Sequence, residues 1–504
     1  MPRWSRSFLM VPLLAAGLLV PPAVSAAAPG PDPGCAIPTY DDRCESWSTI
    51  YTDPALGATS DQYANTVAVS PDGSRVFVTG ANIDTHDSTH PVAGWVTIGL
   101  DAGTGQRLWE AKGPLDGHSP QDLAISPDGA TVFVTGQAHS DDSQSPNDQH
   151  IETVAYDAAT GAVRWDRILD PSGDTDTYAF AMGLSADSST VFVVGDAPRH
   201  QDGFAILVLA YDALTGAERW TGHLVPPGTG VNVPFGLAVA PDGSAVYVGA
   251  VSSNGPNTQD YLTAAFSAGL ADPTAAGTPL WFASYDGLGS HLIDVATDLG
   301  VSPDGSRVYI TGLSQVTTSG AFFPDYDYAT VAYASGTGDR LWTTRTAGSK
   351  RQGTTAALAI SPRGDRVVVT GELAAGASSD MWFQFGTVSL DGATGAQQWK
   401  STYGAPNDYH TAAFATAFSP DAKRVYVTGS SITYGNNLGD MSTVAYDAES
   451  GNQAWAARYN QSGYDWDTGV ALAVSPDSKA VFAAGTLHRF NGDYADIGVV
   501  SYAG

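Results

Sequence analysis

The stretch "VAVSPDGSRVFVTG" (Val67–Gly80) returns in close copy along the chain, as "LAISPDGATVFVTG" from Leu123, "LAVAPDGSAVYVGA" from Leu237 and "LGVSPDGSRVYITG" from Leu299. Aligned on its turn, the repeat occurs eight times, beginning at Ser70, Ser126, Ser185, Ala240, Ser302, Ser361, Ser419 and Ser475, with spacings of 55 to 62 residues. A fixed period of this kind means one supersecondary unit that buries its faces against its own copies. It overrides the length prior, which would divide a chain of this size into about three domains.

Each unit holds four strand-like runs rich in Val, Tyr, Phe and Thr and bounded by Gly, Pro and Asp. Strand A is the short apolar run before the turn, as in "LAIS", and strand B follows it, as in "TVFVTG". "IETVAYD" (Ile151–Asp157) typifies strand C and "AVRWDRIL" (Ala162–Leu169) strand D. In "SPDG" the Pro sets φ and the Gly tolerates positive φ, which makes a tight A–B connection. "DAATG" does the same between C and D. Helical patterning is nearly absent.

Four-stranded antiparallel sheets in eight copies predict an all-β, eight-bladed β-propeller, with an open solenoid as the rival. The last unit supplies strands A, B and C and lacks D, while a spare strand, "ESWSTIY" (Glu45–Tyr51), precedes the first unit. If that strand completes the last blade, the ring closes and no sheet edge is left bare. Strand D carries one Trp per blade: Trp47, Trp109, Trp165, Trp220, Trp281, Trp342, Trp399 and Trp455. An aromatic at one repeat position reads as packing between neighbouring blades.

With strands C and D aligned, "AYDAATGAVRW" (Ala155–Trp165), "AYDALTGAERW" from Ala210 and "AYDAESGNQAW" from Ala445 resemble the tryptophan-docking motif of PQQ-like, quinoprotein-type eight-bladed propellers. Blade 5 ("AYASGTGDRLW") lacks the Asp, and blade 4 has an insertion between Phe266 and Trp281. The "SPDG…VFVTG" half is similar to WD40-like, YVTN-type repeats. The resemblance covers nearly all of residues 45–504. It implies the fold, and for the dehydrogenases of the superfamily a PQQ cofactor on a Cys–Cys disulfide ring with Ca²⁺ and a catalytic Asp. This chain has no adjacent Cys pair, and no motif transfers those metal ligands or a catalytic residue onto its numbering. No cofactor is therefore expected, with PQQ and Ca²⁺ as the exceptions to test.

Residues 1–26 read as a signal peptide: Arg3 and Arg6, an apolar run from Phe8 to Val20, then small residues near Ala26. That run is too short to span a bilayer comfortably, so a secreted or envelope-exterior chain with no membrane span after cleavage is expected, a retained anchor being the alternative. Residues 27–44 form a leader in which Cys35 and Cys44 make either one local disulfide or two free thiols. Residues 45–504 are the propeller, expected to be monomeric. A formal net charge of −29 argues against nucleic acid as a partner.

Antiparallel order places the A–B and C–D turns on one rim and the long, unequal B–C and D–A loops on the other, so function is expected on the second. Nine of the ten His fall there, His118, His150 and His410 among them; solvated loop residues and a metal site are the two readings. Acidic pairs also fall there, and Asp174 with Asp176 and Asp325 with Asp327 are the candidate metal ligands, although neither completes a Ca²⁺ loop. An Asp recurs near the start of strand C, at Asp202, Asp260, Asp327, Asp380, Asp440 and Asp496; a local cap is the favoured role over binding. Trp466 departs from the repeat register just ahead of strand A. With Tyr178, Tyr409, His410, Asp465 and Asp467 it forms the candidate ligand-binding set, loop packing being the alternative.

No G-x-S-x-G, H-E-x-x-H or phosphate-binding loop is present. The expected function is a secreted, non-catalytic binding or scaffold propeller for an extracellular protein or polysaccharide. The alternative is a PQQ-dependent oxidoreductase with an atypical pocket, and ion sequestration is the third reading.

Overall fold

The computed structural model describes residues 45–56, 60–84, 92–113, 117–139, 149–169, 176–199, 203–226, 230–255, 258–269, 272–288, 292–316, 325–349, 355–374, 383–404, 408–433, 439–460, 464–489 and 494–504. Residues 1–26, expected to be a signal segment, and both cysteines lie outside the described residues. Repeats 1 to 7 each form a four-stranded antiparallel arrangement with strands A to D side by side, and repeat 8 supplies strands A to C. In blade 1 these are Ser60–Val69, Arg75–Asp84, Val92–Asp101 and Arg107–Lys112.

Strand A of each blade packs against strand A of the next, and strand A of blade 8 packs against that of blade 1. The inner strands thus ring a central channel. Closure comes from Glu45–Tyr51, which pairs antiparallel with Ala495–Ala503, strand C of blade 8, from Glu45 opposite Tyr502 to Tyr51 opposite Ile497. The chain is an eight-bladed propeller.

Burial grades outward along each sheet. Strand C of blade 2 (Gln149–Asp157) is buried along almost its whole length, because both its edges are paired and both its faces meet other blades. Strand D of that blade (Val163–Ile168) is exposed on both sides of its single buried residue, Trp165. The apolar clusters lie between blades, as where Phe192, Val194 and Val208 of blade 3 meet Val246, Val248 and Phe266 of blade 4.

Strand A is longer than the apolar run suggests. In blade 2 it spans Ser119–Ile125 and in blade 7 Asp408–Phe418. The polar residues ahead of the apolar run still pair with strand B, and a bulge separates the two halves in every blade. A bulge bends the strand, and here it presses a strand A carbonyl onto the glycine of "VTG": a Cβ at Gly136 would lie 2.1 Å from the Ser119 carbonyl oxygen.

Seven tryptophans donate their indole N–H to a carbonyl in the C–D turn of the next blade, among them Trp47 to Ala102 at 2.9 Å, Trp109 to Ala158 at 3.0 Å and Trp165 to Ala213 at 3.0 Å. The turn glycine completes each dock: Gly161 has φ +73°, and a Cβ there would lie 2.6 Å from the Trp109 ring. The blade 4 insertion is accommodated by a 3₁₀ turn, Pro273–Ala275, capped by Asp272.

In the A–B turns the serine hydroxyl and the Asp carboxylate cross-brace the loop, as Ser70 Oγ to Asp72 at 2.5 Å and Ser74 N to Asp72 at 2.9 Å. Three blades carry a non-glycine at the left-handed position: Ser188, Ala422 and Ser478, with φ of 60–61°. L-residues pay steric strain of about 1–2 kcal/mol there, partly offset by the extra freedom Gly brings to the unfolded chain. Ser188→Gly, Ala422→Gly and Ser478→Gly are therefore each expected to stabilise by about 0.5–1 kcal/mol, read as a rise in denaturation midpoint at unchanged m-value.

Candidate functional site

Counting eight residues back from each turn residue reaches the outer end of strand A or, in blades 2 and 3, the residue just ahead of it, at the mouth of the channel on the B–C/D–A rim. In every blade described there the residue is polar and buried: Gln62, His118, Thr177, Asn232, Asp294, Thr411 and Asp467. Several tie strand A to strand C of the preceding blade. Thr177 Oγ1 accepts from Ile151 N at 3.1 Å, Thr411 Oγ1 accepts from Phe385 N at 2.9 Å, and Asn232 Nδ2 donates to the Phe204 carbonyl at 3.1 Å.

His118 serves differently. Its Nδ1 lies 2.6 Å from Glu152 Oε2, with both side chains nearly fully buried, and its ring meets Trp95 edge-on at 6.2 Å. His150, on the same strand as Glu152, is also buried, and its Nδ1 has no partner among the described residues. His150 is therefore a buried strand residue, and His118 lies buried just ahead of strand A; neither is a solvated loop residue.

The first residues of strand C form a second tier. Asp327, Asp440 and Asp496 stand at one register position, opposite Ser314, Ser431 and Leu487 of strand B. Each meets an arginine: Asp327 with Arg345 Nε at 3.2 Å, Asp440 with Arg458 Nη1 at 3.7 Å, and Asp496 with Arg489 Nε at 2.7 Å. Blade 4 breaks this pattern. Asp260 occupies the position opposite Ser252, and Ser284 stands where blades 5 and 7 carry Arg345 and Arg458.

In place of a cation, Asp260 meets more acid. Carboxylate oxygens of Asp260, Asp286 and Asp294 lie within 4.8 Å of one another. Burial, then repulsion from Asp286 and Asp294, pushes Asp260 up to about 6; burial also raises Asp294, which accepts from Gly287 N at 2.8 Å and from the Ser314 hydroxyl. Hard oxygen donors so placed have the chemistry to hold a divalent cation. No sequence motif marks this set, because its members come from strand C of blade 4, the following D–A loop and strand A of blade 5.

Among the described residues, the acidic pairs singled out by sequence belong to no cluster of three or more metal-ligating groups. Asp174, Asp202 and Asp380 lie outside the described residues. Asp176 accepts from Gln149 N at 3.0 Å and so fixes the start of strand C, the Asp325 carbonyl accepts from Val316 N at 2.8 Å, and Asp327 is held by Arg345.

Trp466 lies within strand A of blade 8 (Tyr464–Val474) and not ahead of it, paired with His488 and bridged to Gly439 of blade 7. The extended strand A reaches it, and its ring covers the Gly439 backbone, where a Cβ would meet it at 3.4 Å. His410 holds the same register in blade 7, bridged to Phe383 of blade 6. Its Nε2 is 3.6 Å from Glu372, and burial lowers its pKa. Tyr409 and Asp465 are in the same two strands, and Asp467 is buried. Tyr178 begins strand A of blade 3 (Tyr178–Leu184), four blades around the ring from His410. Trp466 and His410 thus occupy matching positions in adjacent blades, and Tyr178 stands apart.

A family model for PQQ-type repeats, described as outer membrane protein assembly factor BamB, matches residues 92–256. No curated protein sequence matches the chain. Among solved structures, a europium-containing methanol dehydrogenase is similar at TM-score 0.53 and 12% identity, over 92% of this chain and 93% of that one. The quinohemoprotein alcohol dehydrogenase from Comamonas testosteroni gives 0.52 and 12%, over 92% and 76%. A Dos1 propeller gives 0.51 and 13%, over 88% and 93%. At such identities the likeness is one of fold.

Proposed function

We propose, from the premise that this chain is a PQQ-like β-propeller, that it is a binding module working outside the cytoplasm. Its ligand, an extracellular protein or glycan, is held on the rim of the B–C and D–A connections. One observation carries this reading: the two rims differ in how faithfully the repeat is kept. On the A–B side every blade closes its turn with the same backbone bond, from Gly73 to Ser70, Gly129 to Ser126 and onward to Ser478 with Ser475. On the opposite side, equivalent positions change chemistry from blade to blade, from His150 through Asp260 and Gln384 to Asp496. Varied polar groups on a uniform frame are what recognition uses.

The residues described at the channel do not fit PQQ. That cofactor is a polycarboxylate, and the inner strands carry carboxylates of their own at Asp122 and Asp298. The arginines near the rim are already committed to Asp327, Asp440 and Asp496.

The test sets the secreted chain against insoluble polysaccharide in cosedimentation and against immobilised extracellular protein. A paired variant, His410→Ala with Trp466→Ala, is expected to bind at least about fivefold more weakly, roughly 1 kcal/mol, with an unchanged melting temperature. In parallel, PQQ with CaCl₂ is titrated in the presence of an electron-accepting dye. A saturable absorbance change with dye reduction would replace this reading with a quinoprotein oxidoreductase.

A further inference from the structure

The strand A bulge falls at one place in all eight blades, so the residue four before each turn serine stands at an equivalent position along the inner edge of its sheet. Six blades put a small residue there: Thr66, Ala181, Gly236, Ala357, Ala415 and Ala471. Blades 2 and 5 put Asp122 and Asp298. Asp122 accepts from Leu123 N at 2.8 Å with one oxygen and, across the blade boundary, from Met182 N of blade 3 at 2.9 Å with the other. Asp298 repeats the geometry, accepting from Leu299 N at 2.7 Å and from Leu358 N of blade 6 at 2.7 Å. Each carboxylate therefore staples its own inner strand to the next.

Neither staple meets a cation among the described residues. The charge acting on Asp298 is Asp122 itself, and the groups acting on Asp122 are backbone N–H donors alone. An ionised carboxylate half-buried between inner strands with no counter-ion is disfavoured, and a like charge facing it adds to the cost. Burial accordingly pushes both acids up to about 6 against the N–H donors that lower them, with Asp122 adding repulsion at Asp298.

We propose that Asp122 and Asp298 make the central channel a pH-responsive element, which tightens the ring when both carboxylates are neutralised. Between about pH 4 and pH 6 the folded chain holds protons that the unfolded chain has released, so their contribution to stability falls as pH rises through that window. Above it both charges are present and the ring is at its loosest. This device is independent of what occupies the rim.

The experiment compares thermal unfolding of the full chain and of its D122A/D298A variant at about pH 7.5 and about pH 5. Ala already stands at this position in blades 3, 6, 7 and 8, so the substitution matches the repeat. The melting temperature of the variant relative to the parent is expected to fall by about 2–5 °C between the higher and the lower pH. A difference that does not change with pH overturns the proposal. As a readout on the native fold, infrared difference spectra between the two pH values should show buried carboxyl C=O intensity that diminishes in Asp122→Asn and in Asp298→Asn. Intensity unchanged in both also overturns it.

Discussion

A chain lacking Glu45–Tyr51 is expected to melt about 5–10 °C below the parent and to self-associate. The segment adds a whole outer strand to blade 8, from Glu45 opposite Tyr502 to Tyr51 opposite Ile497. It brings two buried aromatics, Trp47 and Tyr51, each worth about 3–5 kcal/mol by the usual cost of removing such a side chain. It also carries the latch to blade 1, through Trp47 Nε1 to the Ala102 carbonyl at 2.9 Å and Thr49 Oγ1 to the Gly105 carbonyl at 2.6 Å. Without it, strand C of blade 8, buried along nearly all its length, becomes a long apolar edge ready to pair with another chain. A synthetic peptide of residues 45–51 should restore part of the loss. Differential scanning calorimetry with size-exclusion chromatography reads both effects, and a trimmed chain that stays monomeric and melts with the parent would refute the closed ring.

Closure, blade number and strand order were legible because each is written several times over. The A–B turn, the "VTG" glycine and the strand D tryptophan all recur at fixed offsets, and a missing strand at one terminus matches a spare strand at the other. The polar tier at the channel mouth is equally periodic, yet no residue type marks it. Its residues are Gln, His, Thr, Asn and Asp, which share burial but not identity, and they lie outside the apolar run that marks strand A. Counting from the turn serine would have found them. The Asp260, Asp286 and Asp294 set had no such signal, because proximity there arises from two blades meeting. Asp122 and Asp298 were hidden differently: a carboxylate at two of eight positions that elsewhere hold a small residue reads as surface until the bulge shows that the position lies inside the ring. Trp466 shows the opposite error. It is out of register only against the apolar run, whereas the full strand A, Tyr464–Val474, contains it.

The tryptophan docks yield a comparison between two chemically identical side chains. Trp165 lies between Phe133 at 5.8 Å and Tyr211 at 6.3 Å, covers Gly216, and donates to the Ala213 carbonyl at 3.0 Å. Trp455 has the same aromatic company, Tyr426 at 5.9 Å and Tyr502 at 5.8 Å, but its buried Nε1 has no partner among the described residues. Packing and hydrogen bonding can therefore be separated. Trp165→Ala and Trp455→Ala should each cost about 3–5 kcal/mol, since both empty a space between blades. Replacement by Phe should divide them. Trp165→Phe loses a satisfied bond and leaves a buried carbonyl unpaired, adding about 1–3 kcal/mol to the loss of ring area, whereas Trp455→Phe removes an N–H that was already unsatisfied. Denaturant midpoints at constant m-value read the difference. If the two Phe variants were equally destabilised, the indole N–H would contribute nothing to holding adjacent blades, and ring packing alone would join them.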